Sequence, residues 1–213
     1  MHVAQIWRYP VKSMAGERVR EAALGPAGVP GDRMVFATDA AGRLVTARRY
    51  PRLLRHRGSL GENGDALVDG RSWDSPEVAR WLEEDVAPGA RFERSNGSGR
   101  FDMLPMLVAT DGSAAAFGYD VRRLRPNLLI EGVEGLAERR WEGARLKIGE
   151  AVIYLDSLRG RCVMTTIDLD TNEQDEGVLE SIIERFDGRL CLNAAIEHPG
   201  VIREQDQVRL VQP

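Results

Sequence analysis

A chain of 213 residues, 43% apolar and 29% charged, has the makeup of a globular protein with one large domain or two small packed ones, and disorder is excluded as its default state. Its formal net charge of -4 excludes bulk attraction to nucleic acid or to an anionic membrane surface. Of the 29 basic residues only Lys12 and Lys147 are lysines, and residues 1–60 carry 11 basic against 4 acidic side chains, whereas 161–213 carry 5 against 11.

The opening segment MHVAQIWRYPVKS has no apolar core of a secretory leader, so no signal peptide is expected. No apolar run approaches the roughly 18 residues of a membrane span. Short apolar runs separated by Gly, Pro, Asp or Asn predict strands over 3–9, 19–24, 33–38, 44–47, 55–60 and 67–68, with turn chemistry at 39–42 and 62–65. Ser75 then reads as an N-cap with Pro76 at the first helical position, and Val78, Trp81, Leu82 and Val86 recur on one face. The Gly/Ser-rich stretch 94–100 is the expected boundary between an N-terminal domain, residues 1–94, and a second domain, residues 100–213. Beyond it, strands are predicted over 106–109, 127–130, 145–148, 151–157 and 208–211. A short helix over 111–120 is opened by Asp111 or Ser113, and a third helix over 177–185 carries the stripe Val178, Leu179, Ile182, Ile183. The chain reads as antiparallel and mostly β, with a few short helices.

Two cysteines, Cys162 and Cys191, lie 29 residues apart without CxxC spacing or a Cys/His cluster, too few ligands for structural zinc. The expected compartment is a reducing cytoplasm, with both thiols free. Cys162 follows Arg159, Gly160 and Arg161, an electropositive setting that suits a thiolate able to ligate a soft metal or attack an electrophile. A buried, inert cysteine is the alternative, and Cys191 between Leu190 and Leu192 fits it. His2, His56 and His198 belong to no dyad pattern, which disfavours nucleophilic hydrolysis. Anion-recognising types gather at Lys12 and Ser13, Asp32 and Arg33, Thr46 to Arg48, and Arg125 with Asn127; without a P-loop or GxGxxG, side chains would hold an anionic, metal-bearing ligand.

The run Ile6-Trp7-Arg8-Tyr9-Pro10-Val11-Lys12-Ser13-Met14, then Gly31-Asp32-Arg33 and Thr46-Ala47-Arg48, resembles the N-terminal β-barrel domain of MOSC proteins. Arg125-Pro126-Asn127, Trp141-Glu142-Gly143, Arg161-Cys162-x-x-Thr165-Thr166-x-Asp168 and Pro199-Gly200-x-Ile202 resemble the MOSC domain that ends molybdenum cofactor sulfurase. The resemblance implies two packed β-barrel-like domains and a molybdenum cofactor, its molybdopterin held between them. Cys162 would be the metal ligand and catalytic residue, Lys12, Ser13 and Arg33 would meet the pterin and its phosphate, and Arg125 and Asn127 would hold the other side. Arg161, Thr110 and Ser113 are further cofactor-binding candidates. Two departures from the family pattern stand out: Asn172 where the run after the cysteine usually ends Thr-Gly, and Gln205 where an Ile-x-x-Gly-Asp turn has glycine.

The implied activity is oxidoreduction: removal of oxygen from a small N-hydroxylated substrate, with electrons supplied by a separate donor protein and with no nucleic acid or membrane partner. The alternative is a non-catalytic carrier of molybdenum cofactor or persulfide sulfur on Cys162. No pyridoxal-phosphate site is expected, because 213 residues leave no room for a desulfurase domain.

Overall fold

The computed structural model describes residues 1–97 and 100–212; Ser98 and Gly99, inside the expected boundary stretch, lie outside the described residues, as does Pro213. The N-terminal part runs β1 (His2–Arg8), β2 (Glu17–Val19), β3 (Glu21–Leu24), β4 (Val35–Thr38), β5 (Leu44–Val45), β6 (Gly58–Leu60), β7 (Ala66–Val68), β8 (Arg71–Ser72), helix α1 (Pro76–Trp81) and β9 (Arg91–Arg94). The remainder runs β10 (Met106–Thr110), α2 (Asp111–Phe117), β11 (Leu128–Glu131), β12 (Arg145–Ile148), β13 (Ala151–Gly160), α3 (Gly177–Phe186), β14 (Arg189–His198), β15 (Gly200–Arg203) and β16 (Val208–Val211). The protein is mostly β with three short α-helices among the described residues.

Eight strands form one sheet in the order β16-β12-β13-β14-β10-β11-β1-β2, β3 pairs with β15, and β5-β4-β9 and β6-β7-β8 make two three-stranded sheets. The first strand of the chain therefore pairs inside the sheet built from its far end, Ile6 opposite Leu128. The order is open, so the large sheet is no continuous barrel. A single antiparallel bridge from His2 to Gln207, with Val3 N donating to Asp206 O and Val208 N to Met1 O, nonetheless draws the β16 end round to β1.

Two apolar cores lie side by side. Val3, Ile6, Val108, Leu128, Leu146, Ile153 and Leu192 fill the first, under the large sheet. Val11, Met14, Val35, Leu53, Leu54, Val78 and Leu82 fill the second, and Ile167, just beyond Cys162, is buried among them. The segment after Cys162 thus docks on the core of the N-terminal sheets. A third cluster beneath α2 and α3 holds Phe117, Val178, Ile182, Phe186 and Cys191.

Several local expectations change. The β10–β11 ladder is parallel, Val108 opposite Leu128, because α2 carries the chain back before the second strand begins. β14, ten residues long and paired with both β13 and β10, has no predicted counterpart: buried on both faces, it lacks the alternation that marks a half-buried strand. On α3 the inward residues are Val178, Ile182 and Phe186, four apart, while Ile183 is exposed.

The two departures from the family's glycines fall on left-handed backbone, Asn172 at φ 61° and Gln205 at φ 72°. Asparagine tolerates that region and glutamine does not. Gln205→Gly is accordingly expected to raise stability by about 0.5–1 kcal/mol, read by urea unfolding, while Asn172→Gly is expected to be close to neutral. A loss of stability in Gln205→Gly would show that the Gln205 backbone carries no strain.

Candidate functional site

The cleft lies where the two cores meet. Its empty volume, counted with the open solvent at its mouth, is about 840 Å³. Lys12, Ser13, Arg33, Arg125, Asn127, Arg161 and Cys162 all line it. They come from the turn after β1, the loop before β4, the loop before β11 and the end of β13. Ser13 (φ 69°), Arg33 (φ 48°) and Arg125 (φ 55°) sit in left-handed backbone, a costly conformation that concentrates at functional sites.

Tyr9 and Asp32 organise the floor. Two guanidiniums approach the Tyr9 ring, that of Arg125 at 4.3 Å from its centroid and that of Arg33 at 5.1 Å. Its hydroxyl donates to Pro126 O at 3.0 Å, and burial pushes its pKa up. Asp32, fully buried, accepts from Tyr9 N (2.6 Å), from Asn127 Nδ2 (3.2 Å) and from Arg33. Asn127 also donates to Trp7 O at 3.3 Å and accepts from Leu107 N at 3.1 Å. With both ends of its amide engaged, Asn127 holds Arg33 and three chain segments in place. Arg125 donates to Met14 O at 2.6 Å, and burial lowers its pKa to about 10.

Cys162 begins a 3-10 turn, Val163–Thr166, whose Thr165 hydroxyl and amide both donate to Cys162 O at 2.9 Å. Arg123 clamps that turn, donating to Thr166 O at 2.8 Å and to Asp168 Oδ2 at 2.8 Å. The turn is therefore set by hydrogen bonds that leave the thiol unused, and Cys162 remains only half-buried. Arg161 donates to Leu124 O at 2.7 Å, yet its buried Nε has no partner, and burial lowers its pKa. A Cβ added to Gly160 would meet no protein atom within 4 Å, so the space beside it belongs to the cleft.

Two cleft residues carry more than the sequence assigned to them. The Cys162 side chain is the first cause that holds Arg48 above its ordinary pKa; burial opposes it and Asp102 adds to the rise. Asp102 accepts from Lys12 Nζ at 2.9 Å and Arg48 Nη2 at 2.6 Å, with Arg159 Nη2 at 3.4 Å. Partial burial pushes its pKa up, but the hydrogen bond and charge of Lys12, then those of Arg48, bring it down to about 2. Its pairing contributes stability at neutral pH that is lost as pH falls from the ordinary 3.8 through about 2.

Thr110 and Ser113 lie apart from the residues that line the cleft. Both are fully buried and outside the cleft, where they form the capping box of α2, so the cap is Thr110 rather than Asp111 or Ser113. The Thr110 hydroxyl accepts from Ser113 N at 3.0 Å and lies 3.2 Å from Glu138 Oε2, and Asp111 instead accepts from Gly132 N and Val133 N. Thr110→Val is expected to cost about 1–2 kcal/mol in urea unfolding and to leave ligand affinity at the cleft within about twofold, since an N-cap acts on its own helix; a selective loss of affinity would restore Thr110 as a ligand group.

None of the three histidines lines the cleft: His2 pairs with Glu131, His56 with Asp69 and His198 with backbone carbonyls. Cys191 is fully buried at φ 68°, and burial pushes its thiol up to about 11. Among the described residues no three His, Cys, Asp or Glu side chains gather as a metal site, and no helix is long and apolar enough to cross a membrane.

Comparison with known proteins adds to this geometry. Residues 1–100 match the family described as MOSC N-terminal beta barrel domain, and residues 108–209 match the MOSC domain. Mitochondrial amidoxime reducing component 2 of Macaca fascicularis is 27% identical over 89% of this chain and 72% of its own length. The human mitochondrial amidoxime-reducing component 1 is 26% identical over 79% and 67%. Molybdenum cofactor sulfurase of Drosophila grimshawi is 23% identical over 98% of this chain, which spans 34% of that protein. Among solved structures, the YUAD protein of Bacillus subtilis superposes with a TM-score of 0.55 at 11% identity, covering all of this chain and 96% of its own, a likeness of fold.

Proposed function

As the chain belongs to the MOSC family through both of its domains, we propose that its arginine-lined cleft binds a molybdenum cofactor with Cys162 as the protein ligand to the metal, and that the protein reduces N-hydroxylated compounds. The observation that carries this reading is the half-buried Cys162 thiol facing a cleft lined by Arg33, Arg48, Arg125 and Arg161. A thiolate is a fitting ligand for a soft, high-valent metal, and guanidinium groups match an anionic, hydrogen-bonding cofactor.

The residues present fit such a group on two counts. The partnerless Nε of Arg161 is a buried donor without an acceptor in the protein, and no protein atom fills the space beside Gly160 at the cleft wall. Lys12 and Ser13 would hold the phosphate, Arg33 and Arg125 the ring system, and Arg161 an acceptor close to Cys162. The bound cofactor would supply two-electron chemistry that removes oxygen from nitrogen, with electrons from a separate donor protein.

The protein's own part is ligation and orientation. Asp32 and Asn127 fix the Arg33 fork, Met14 O fixes Arg125, and the Arg123 clamp holds the turn that follows Cys162. Phe101 and Met103 border the cleft.

The test is an assay of benzamidoxime or an aryl hydroxylamine with a chemical reductant in place of the donor. Protein from a host that makes molybdenum cofactor is expected to form the amidine or amine. Equal turnover by protein from a host unable to make the cofactor would overturn the proposal, and labile sulfur on Cys162 without turnover would favour the carrier.

A further inference from the structure

A basic face begins at the edge of the cleft. Arg48 lines the cleft and reaches Asp102 Oδ2 at 2.6 Å, and the chain then continues through Arg49 into a 3-10 turn, Pro51–Arg55. Backbone bonds spanning three residues build this run: Arg49 N donates to Thr46 O at 3.0 Å, Leu53 N to Tyr50 O at 3.1 Å and His56 N to Leu53 O at 3.2 Å. With three residues per turn, Arg52 and Arg55 eclipse on one side, while Leu53 and Leu54 are buried in the second core on the other. That apolar anchor fixes where the arginines stand.

Arg49, Arg52 and Arg55 are all exposed, and among the described residues none of them pairs with a carboxylate. Arg52 Nη1 donates to a carbonyl, Asp85 O, at 3.2 Å, and the Arg49 guanidinium lies 5.4 Å from the Tyr50 ring centroid, so neither contact neutralises a charge. Arg43 and Arg48, close by in the chain, do pair, with Asp39 and Asp102. Met103, which follows Asp102 at the cleft mouth, is 61% exposed. Met and Arg are two of the residue types enriched at protein interfaces.

We infer that Arg49, Arg52 and Arg55, with Met103 at the cleft mouth, form the docking face for the electron-donor protein, and that this donor presents an acidic surface. The inference rests on the proposed reductase reading and adds the chemistry of its partner. Reduction of an amidoxime breaks the N–O bond, takes up two electrons from the donor and two protons from solvent, and releases water. A one-electron carrier therefore docks twice in each turnover, which calls for fast association and fast release. Exposed charges supply both, since they steer the encounter while screening by solvent and salt keeps the complex weak. The chain's net charge of -4 gives no general attraction for an acidic protein, so recognition depends on this local face.

The probes are reduced flavodoxin and reduced plant-type ferredoxin, two acidic one-electron carriers, with reduced methyl viologen as a small donor that needs no docking face. Arg49→Glu, Arg52→Glu and Arg55→Glu combined are expected to lower carrier-driven kcat/KM for benzamidoxime at least about tenfold, with viologen-driven turnover within about twofold of wild type. The wild-type carrier rate is expected to fall severalfold between about 0.01 M and about 0.1 M ionic strength, as the screening length shortens from about 30 Å to about 10 Å, and the variant's rate to change little. Binding of oxidised flavodoxin, which needs no metal, is expected to weaken in parallel. Thermal unfolding checks the fold, and the corresponding triple Gln variant, expected to lie between the two, decides if the Glu variant does not fold. Lys147→Glu with Arg209→Glu, a cross-strand pair on the β12–β16 edge, tests net charge alone and is expected to keep the carrier rate within about twofold. Carrier rates unchanged in the triple variant, an equal loss in the Lys147 and Arg209 control, or no turnover with either carrier while viologen supports it would each overturn the inference. So would binding to phosphatidylserine vesicles that the triple variant loses while its carrier rate stays that of wild type. Absence of viologen-driven turnover in wild type would remove the reductase reading, and the inference with it.

Discussion

Cys162→Ala is expected to purify as a folded protein that retains less than about a tenth of an equivalent of molybdenum and reduces N-hydroxylated substrates at least about 100-fold more slowly than wild type, because a direct ligand contributes more than the 10–100-fold typical of its supporting groups. The fold should survive, since the turn is set by the Cys162 carbonyl, which accepts from Thr165, and by Arg123 on Thr166 O. The sulfur is half-buried, so truncation leaves a wider cleft rather than a sealed cavity. The expected change in unfolding free energy is within about 1 kcal/mol. Cys162→Ser is expected to lie between the two, oxygen being a harder ligand. Cys191→Ala is the control: fully buried in the cluster beneath α3, it should lower stability while leaving metal content unchanged. Loss of metal in Cys191→Ala with retention in Cys162→Ala would reverse the assignment.

Asp32→Ala carries the largest expected cost in stability, about 3–5 kcal/mol. The carboxyl is fully buried and joins Tyr9 N, Asn127 Nδ2 and Arg33. Its removal strands a backbone donor, half of an amide and a mostly buried guanidinium at once. Near the unfolding midpoint that loss corresponds to roughly 6–20 °C in Tm for a domain of this size. Asp32→Asn, which preserves shape and one acceptor, should cost less but turn an N–H toward Arg33. Urea unfolding of both variants decides it. A loss below about 1 kcal/mol in Asp32→Ala would mean that the floor of the cleft is organised from elsewhere.

What the sequence made legible is concentrated in short motifs. Lys12, Ser13, Arg33, Arg125, Asn127, Arg161 and Cys162 are far apart in the chain and meet in one cleft, and the helix opened by Ser75 and Pro76 is present with Ser75 Oγ accepting from Val78 N. What stayed hidden depends on three-dimensional convergence. Arg48 stood among several arginines, and only the fold sets it between Cys162 and Asp102. Asp102, in Arg100-Phe101-Asp102, is an ordinary surface pattern until three cations close on it. The roles of Thr110 and Ser113 had a local signal, a hydroxyl residue followed three positions later by another polar one, which is capping-box spacing.

The charge asymmetry of the chain was a weaker guide than its size suggests. Of the eleven basic residues in 1–60 only Lys12, Arg33 and Arg48 line the cleft, while Arg8 makes a part-buried pair with Glu17, and Arg18 and Arg43 pair with Glu204 and Asp39 at the surface. The cleft draws four more cations from the other half of the chain, Arg123, Arg125, Arg159 and Arg161. Net charge by segment follows the chain, whereas the field in a cleft follows the fold.

The most direct measurement is the molybdenum and pterin content of the wild-type chain purified from a host that makes the cofactor. The account predicts about one equivalent of each per chain, with the metal bound through one protein sulfur in its X-ray absorption spectrum and that sulfur missing in Cys162→Ala. Protein that purifies folded from such a host without molybdenum or pterin, or a metal spectrum unchanged by Cys162→Ala, would contradict it.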